Sequence, residues 1–262
     1  MKRSHWALLN AVGLVIALVL NGLAAGLPLN GMDTGELSDL YPNLFVPVGL
    51  TFSIWGVIYS WLIAFVVYGF ARRNDEGDGH FLDRIGPFFL LNGLFNAAWI
   101  VAWHWMLVPL SLFLMLAILG TLLAMYLRLG VGVTPASAGE RWLVRAPLSV
   151  YLGWITVATI ANVTTLAVDL GAPAFGEGPA ILTVVVLLTA LGLAGAMLAT
   201  RRDVAFALVV AWAFFGVWLK RYGAPDDGSG LVAGAALGGL LLVLGGVGIT
   251  GLRRAQQRTA PT

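Results

Sequence analysis

Residues 43–61 read NLFVPVGLTFSIWGVIYSW, a stretch in which a polar, proline-bearing loop turns into a long apolar helix without one charged side chain. Pro42 and Pro47 remove two backbone donors and fix the direction in which the chain arrives, and Gly49 lets another backbone come close. Beyond them Phe52, Trp55 and Tyr59 recur at three and four residues, so the three rings share one helical stripe. An ordinary membrane helix with interfacial aromatics has the same pattern. The stripe gains meaning only from what the rest of the chain sets against it.

The surrounding composition decides the class. Of 262 residues, 59% are hydrophobic and 11% charged, with a mean hydropathy of +0.89, which excludes a soluble domain. At about 20 residues per crossing, eight spans are predicted: Leu8 to Gly26, Val46 to Phe70, Pro87 to Trp105, Leu107 to Leu127, Trp142 to Val168, Pro179 to Ala199, Val204 to Trp218 and Gly230 to Leu252. The seventh is the shortest. The expected fold is all-α, a polytopic membrane helix bundle of about eight transmembrane helices. The lipid bilayer is its first partner.

The chain has no cysteine, so disulfides and thiolate metal sites are excluded. His5, His80 and His104 are far apart and near helix ends, and no metal site is expected. The basic residues fall in loops and set orientation, so no nucleic-acid partner is expected either. With eight spans, thirteen of the fifteen Lys and Arg residues fall on one side, leaving Lys220 and Arg221 on the other. That asymmetry places both termini in the cytoplasm of a multi-pass cell-membrane protein. The opening MKRSHW and its apolar run also have the shape of a signal peptide ending near Ala24-Ala25-Gly26. The run is longer than a signal core, and a retained helix is expected.

Along the chain, Asn10 and Asn21 on the first helix need partners on neighbouring helices. The outer loop from Leu27 to Phe45 carries Asp33, Glu36 and Asp39 and has the length of a lid; its carboxylates read as a solvated acidic face rather than a cation site. On the third helix Asn92, Asn96 and Trp99 form one stripe. An interhelical hydrogen-bond clamp and the polar anchor of a ligand cavity fit that spacing equally well. Trp103 and Trp105 read as interfacial belt residues flanking His104. The fourth helix is nearly featureless and suits lipid-facing packing. On the fifth, Tyr151, Trp154, Ala158, Asn162 and Thr165 share a second polar and aromatic face. Trp212, Phe214, Phe215 and Trp218 read as packing residues. Gly230, Gly234 and Gly238 form a small-residue ridge, suited to packing within the bundle or to a homodimer. The tail QQRTAPT reads as disordered.

Three of these stretches together resemble the tryptophan-rich sensory protein / translocator protein (TspO/MBR) family. Its second-helix pattern is similar to Pro47, Gly49, Phe52, Trp55 and Tyr59, its third-helix pattern to Asn92, Asn96 and Trp99, and its fifth-helix pattern to Tyr151, Trp154, Thr156 and Asn162. The sequence departs from the family at Val48, where a second proline is usual, and at Leu50, where a tryptophan is usual. The resemblance implies a TspO-like five-helix membrane domain over 1–170, with three additional transmembrane helices and a short cytoplasmic tail over 171–262. It also implies a cavity among helices two, three and five for a flat hydrophobic small-molecule ligand, a porphyrin or haem or a sterol-like lipid. No cofactor is required. Phe52, Trp55, Tyr59, Asn92, Asn96, Trp99, Tyr151, Trp154, Ala158 and Asn162 are the expected ligand-binding residues.

The leading reading is a sensor or carrier of such a ligand. The alternative is a secondary transporter or permease, against which stands the absence of Asp, Glu and Lys from the spans, whose one Arg, Arg145, lies in the first residues of the fifth. The lesser alternative is a porphyrin-degrading enzyme. No nucleophile and base, acid pair or ligand set supports catalysis, and no catalytic residue is assigned.

Overall fold

The computed structural model describes residues 2–259 apart from Pro28, Asp33 and Asp78, and side chains through residue 256. Among the described residues the chain is helical, with no strand. Eight long helices follow in order: α1 Arg3–Gly26, α2 Ile54–Arg72, α3 Phe88–His104, α4 Val108–Arg128, α5 Ala146–Asp169, α6 Glu177–Arg201, α7 Val204–Arg221 and α8 Ser229–Thr259. Seven are long and apolar enough to cross a membrane, and the chain is a multi-pass membrane protein. The expected weak span was the seventh, but α7 continues to Arg221 and has 18 residues. The shortest is α3, with 17, roughly 25 Å at 1.5 Å per residue.

The chain divides into two compact units, Met1–Pro42 with Phe52–Ala172 and Asn43–Thr51 with Pro173–Thr262. In the first unit α1 and α3 meet backbone to backbone. A Cβ placed on Gly93 would lie 2.4 Å from the Gly13 carbonyl oxygen, so glycine at both positions sets the interaxial distance. Asn21 finds its expected partner across this seam, donating 2.7 Å to Asn96 Oδ1. Asn10 does not: its amide is buried with neither atom hydrogen-bonded.

Charged groups tie one end of this unit together. Arg3 donates to Asp83 Oδ2 at 2.6 Å and to the carbonyls of Asp75 and Gly77, while Arg84 Nε donates 2.9 Å to the Arg128 carbonyl. Helix α5 is preceded by a π-turn over Arg141–Arg145, closed by the Ala146 amide on the Arg141 carbonyl. Pro147 follows directly, and its missing N–H and its ring's clash with the preceding turn give a reason for the widening there.

Helix α4 exposes an apolar face with Leu110, Phe113, Leu116, Leu123 and Leu127, as its sequence suggested, but it also has a buried face with polar groups. One face buries Ser111, Leu114, Met115, Ile118, Thr121 and Met125, and its two hydroxyls receive the asparagines of α3 and α5. Asn92 Nδ2 donates to Thr121 Oγ1 at 2.9 Å and to the Ile118 carbonyl at 3.1 Å. Thr121→Val keeps the β-branched shape and removes the better acceptor. It is expected to lower unfolding stability in detergent by about 0.6 kcal/mol, read as a small fall in apparent Tm.

In the second unit Arg202 turns α6 into α7 in the left-handed region at φ 52°. Asp203 Oδ1 caps α7 by accepting from the Phe206 amide at 3.0 Å. The ring ladder Trp212, Phe215, Trp218 and Tyr222 runs along α7, in keeping with a packing role. Within this unit, close packing on α8 falls on a glycine outside the expected ridge. A Cβ on Gly230, Gly234 or Gly238 would meet nothing within 4 Å, whereas one on Gly239 would strike the Phe214 ring at 2.4 Å. Of the tail, residues 256–259 continue α8, which runs to Thr259; residues 260–262 lie outside the described part.

Candidate ligand-binding site

The stripes expected on α2, α3 and α5 meet inside the first unit. Trp55 is at the centre: it stacks on Tyr59 with ring centroids 5.2 Å apart and on Trp99 at 6.3 Å. It also meets Tyr151 edge-on at 5.9 Å and Trp154 at 6.4 Å. Phe52, at the start of the helical stretch, closes on Trp154 at 5.8 Å and 87°. Such offset and T-shaped pairs are the geometries the ring quadrupoles favour.

The amides follow the rings in two directions. Asn96 is buried and donates 3.0 Å to the Tyr151 hydroxyl while accepting from Asn21, a polar chain from α1 through α3 to α5. The Tyr59 hydroxyl lies beside the Asn96 amide but completes no hydrogen bond of ordinary geometry. Asn162 Oδ1 accepts from Ser111 at 2.8 Å and, at 3.5 Å, from the Trp99 indole, and its Nδ2 donates to the Ala158 carbonyl at 3.0 Å. Asn92 points to α4, where it forms the clamp described above. Between Tyr59, Asn92, Asn96 and Tyr151 lies a cavity of about 10 Å³, the lower limit for one water molecule.

One donor in the cluster is left over. Trp154 is 2% exposed, its ring is flanked by Phe52 and Trp55, and its indole N–H has no acceptor. Buried donors without partners are rare in folded proteins, and this one sits where the expected site residues converge.

The first loop covers α3's far end. Residues Leu29–Gly31 form a 3-10 turn and Thr34–Asp39 a short helix. His104 is fully buried beneath them, with Nδ1 2.9 Å from the Leu29 carbonyl and Nε2 3.3 Å from Thr34 Oγ1. Of the acidic trio, Asp33 lies outside the described residues. Trp103 is no belt residue: it is 6% exposed, stacks on Trp99 at 6.2 Å and carries Tyr41 at 6.3 Å. Trp105 is half exposed. Burial and the nearby Asp169 carboxylate push the Tyr41 phenol above its ordinary pKa, keeping it a neutral ring on that stack.

Sequence reasoning missed Trp103, His104, Ser111 and Asn21 as parts of this assembly. Trp103 lies four residues after Trp99, and that spacing was the available signal; the hydroxyl of Ser111 gave none. Among the described residues no group of three or more His, Cys, Asp or Glu side chains could hold a metal ion.

No curated protein and no solved structure matches the chain. A family model for TSPO-like proteins does, over residues 7–249, a stretch that contains the aromatic cluster and runs on through α6 and α7 into α8. Eight apolar helices, the convergent tryptophans and that match together place the chain in the TSPO-like protein family.

Proposed function

We propose that the protein binds a flat hydrophobic small molecule, a porphyrin, haem or sterol-like lipid, at the Trp55 cluster, and acts as a sensor or carrier in the cell membrane with both termini cytoplasmic. The observation that carries this reading is the buried, unpartnered indole N–H of Trp154 inside a cage of aromatic faces. Rings offer stacking area to a flat ligand, and the free donor offers orientation to a carbonyl or carboxylate on its edge. A ligand held between two ring planes needs about 7–8 Å from one to the other. Binding therefore parts rings that now lie against each other, and the lid held by His104 is the segment placed to move with them.

Titration of protoporphyrin IX and of haem against intrinsic tryptophan fluorescence, in detergent or nanodiscs, tests the reading. Trp55→Ala is expected to weaken binding about a hundredfold, as loss of a central aromatic anchor does. Trp154→Phe keeps a ring and removes only the donor, and about a tenfold loss is expected. Unchanged affinity in both Trp55→Ala and Trp154→Ala would remove the site.

A further inference from the structure

The connection between α2 and α3 carries a histidine with both ring nitrogens engaged. His80 precedes the short helix Phe81–Ile85, and its Nδ1 accepts from the Leu82 amide at 3.2 Å. Its Nε2 lies 2.9 Å from the carbonyl of Arg72, the last residue of α2. A carbonyl can only accept and an amide N–H can only donate, so the two partners fix the tautomer: Nε2 carries the proton and Nδ1 keeps its lone pair. The neutral ring is thus the N-cap of one helix and a tie to the end of another.

What the cap holds is a junction inside the first unit. Phe81, Leu82 and Ile85 are buried, and Phe81 stacks on Tyr68 of α2 at 5.6 Å and meets Phe65 at 6.3 Å. Asp83 receives Arg3 of α1, and Arg84 reaches the Arg128 carbonyl at the end of α4. A helix of five residues is too short to persist on its own hydrogen bonds. Capping and packing together keep its side chains presented to α1, α2 and α4.

Protonation of the ring is incompatible with this arrangement. It puts an N–H on Nδ1 facing the Leu82 N–H, donor against donor, while the bond to Arg72 survives. Among the described residues, the charged groups acting on the ring are Arg3 of α1, Asp75 in the loop after α2 and Asp83 of the short helix itself. Burial and the Arg3 guanidinium hold the ring below the ordinary histidine value of 6.5, against the Arg72 carbonyl and the two carboxylates. The capped helix therefore binds fewer protons than the uncapped one. The cap's stabilisation is complete above about pH 6.5 and is lost as the pH falls from there through the lowered value.

We propose that His80 is a proton-operated latch: neutral, it holds the short helix Phe81–Ile85 in the junction of α1, α2 and α4, and protonated, it lets the first turn of that helix open. The latch needs no ligand at the Trp55 cluster.

Hydrogen–deuterium exchange on the full chain in phosphatidylcholine nanodiscs, with rates corrected for the intrinsic pH dependence of exchange, tests the latch. Between about pH 7.5 and about pH 5.5, protection over residues 82–84 is expected to fall about fivefold, while residues 150–157 of α5 keep theirs. His80→Asn supplies a cap acceptor that does not titrate, and its protection is expected to agree at the two pH values within about twofold. His80→Ala loses the cap at every pH, and protection about fivefold below the parent's is expected already at about pH 7.5. Equal protection in the parent at both pH values, or parent-level protection in His80→Ala at the higher one, would overturn the proposal. So would a fall in His80→Asn as large as the parent's, which would assign the titration to Asp75 or Asp83.

Discussion

Gly93→Val is expected to prevent the first unit from assembling, seen as loss of the monodisperse folded peak in detergent or a fall of many degrees in apparent Tm. The Cβ it introduces would lie 2.4 Å from the Gly13 carbonyl oxygen, 2.7 Å from its carbon and 3.0 Å from its Cα. All three are backbone atoms, with no rotamer to yield. Gly13 is hemmed in the same way, since a Cβ there would lie 2.9 Å from Leu90 Cα. Relief requires α1 and α3 to separate, and in a bilayer no solvent-driven apolar burial brings them back. Overpacking of a flexible core costs about 1–3 kcal/mol, and a rigid backbone clash belongs above that range. Separation also breaks the Asn21 to Asn96 bond and so releases the amide that orients Tyr151. Gly234→Val is the control, since its Cβ would meet nothing within 4 Å. Equal stability of the two variants would refute the account.

Arg145→Met is expected to cost about 3–5 kcal/mol, the range for breaking a buried pair on one side. Its side chain is 5% exposed. Nε and Nη2 donate to Glu140 Oε1 at 2.9 and 2.7 Å. Nη1 reaches the carbonyls of Thr134 at 2.7 Å and Gly130 at 3.3 Å, and Nη2 that of Pro135 at 3.1 Å. A planar fork thus organises the whole connection between α4 and α5. Without it the Thr134 and Pro135 carbonyls lose this donor, and among the described residues the Glu140 carboxylate keeps Arg84 at 3.9 Å. Arg145→Lys, a point donor that cannot span these acceptors, is expected to recover a minor part. Glu140→Gln added to Arg145→Met is expected to recover more, because it removes the stranded charge. Thermal unfolding with limited proteolysis between residues 129 and 141 checks this; a cost below about 1 kcal/mol would show that the network contributes no more than a surface pair.

Much of the candidate site was legible in the sequence. Phe52, Trp55 and Tyr59, Asn96 and Trp99, and Tyr151 and Trp154 each lie at helical spacing on their own helices, and helical spacing fixes which side chains share a face whatever the helix packs against. What spacing leaves open is the partner. Asn92 and Asn96 lie on one stripe, yet one reaches Thr121 on α4 and the other Tyr151 on α5. Trp103 looked like a belt tryptophan because it ends a helix beside Trp105, and only the short helix Thr34–Asp39 and its loop laid over it bury it.

The sequence by itself determined that the chain is helical and crosses a membrane repeatedly. It also determined where the charges fall and which faces of α2, α3 and α5 carry rings and amides. Those properties follow from apolar length and periodicity, which are local and additive along the chain. Only the tertiary structure decided that α4 supplies hydroxyls to its neighbours, that Gly239 rather than Gly234 receives a ring, and that residues 43–51 belong with helices that begin more than a hundred residues later. Each of those turns on a donor, an acceptor or a free volume contributed by another segment, and no residue's own chemistry names the segment that will meet it.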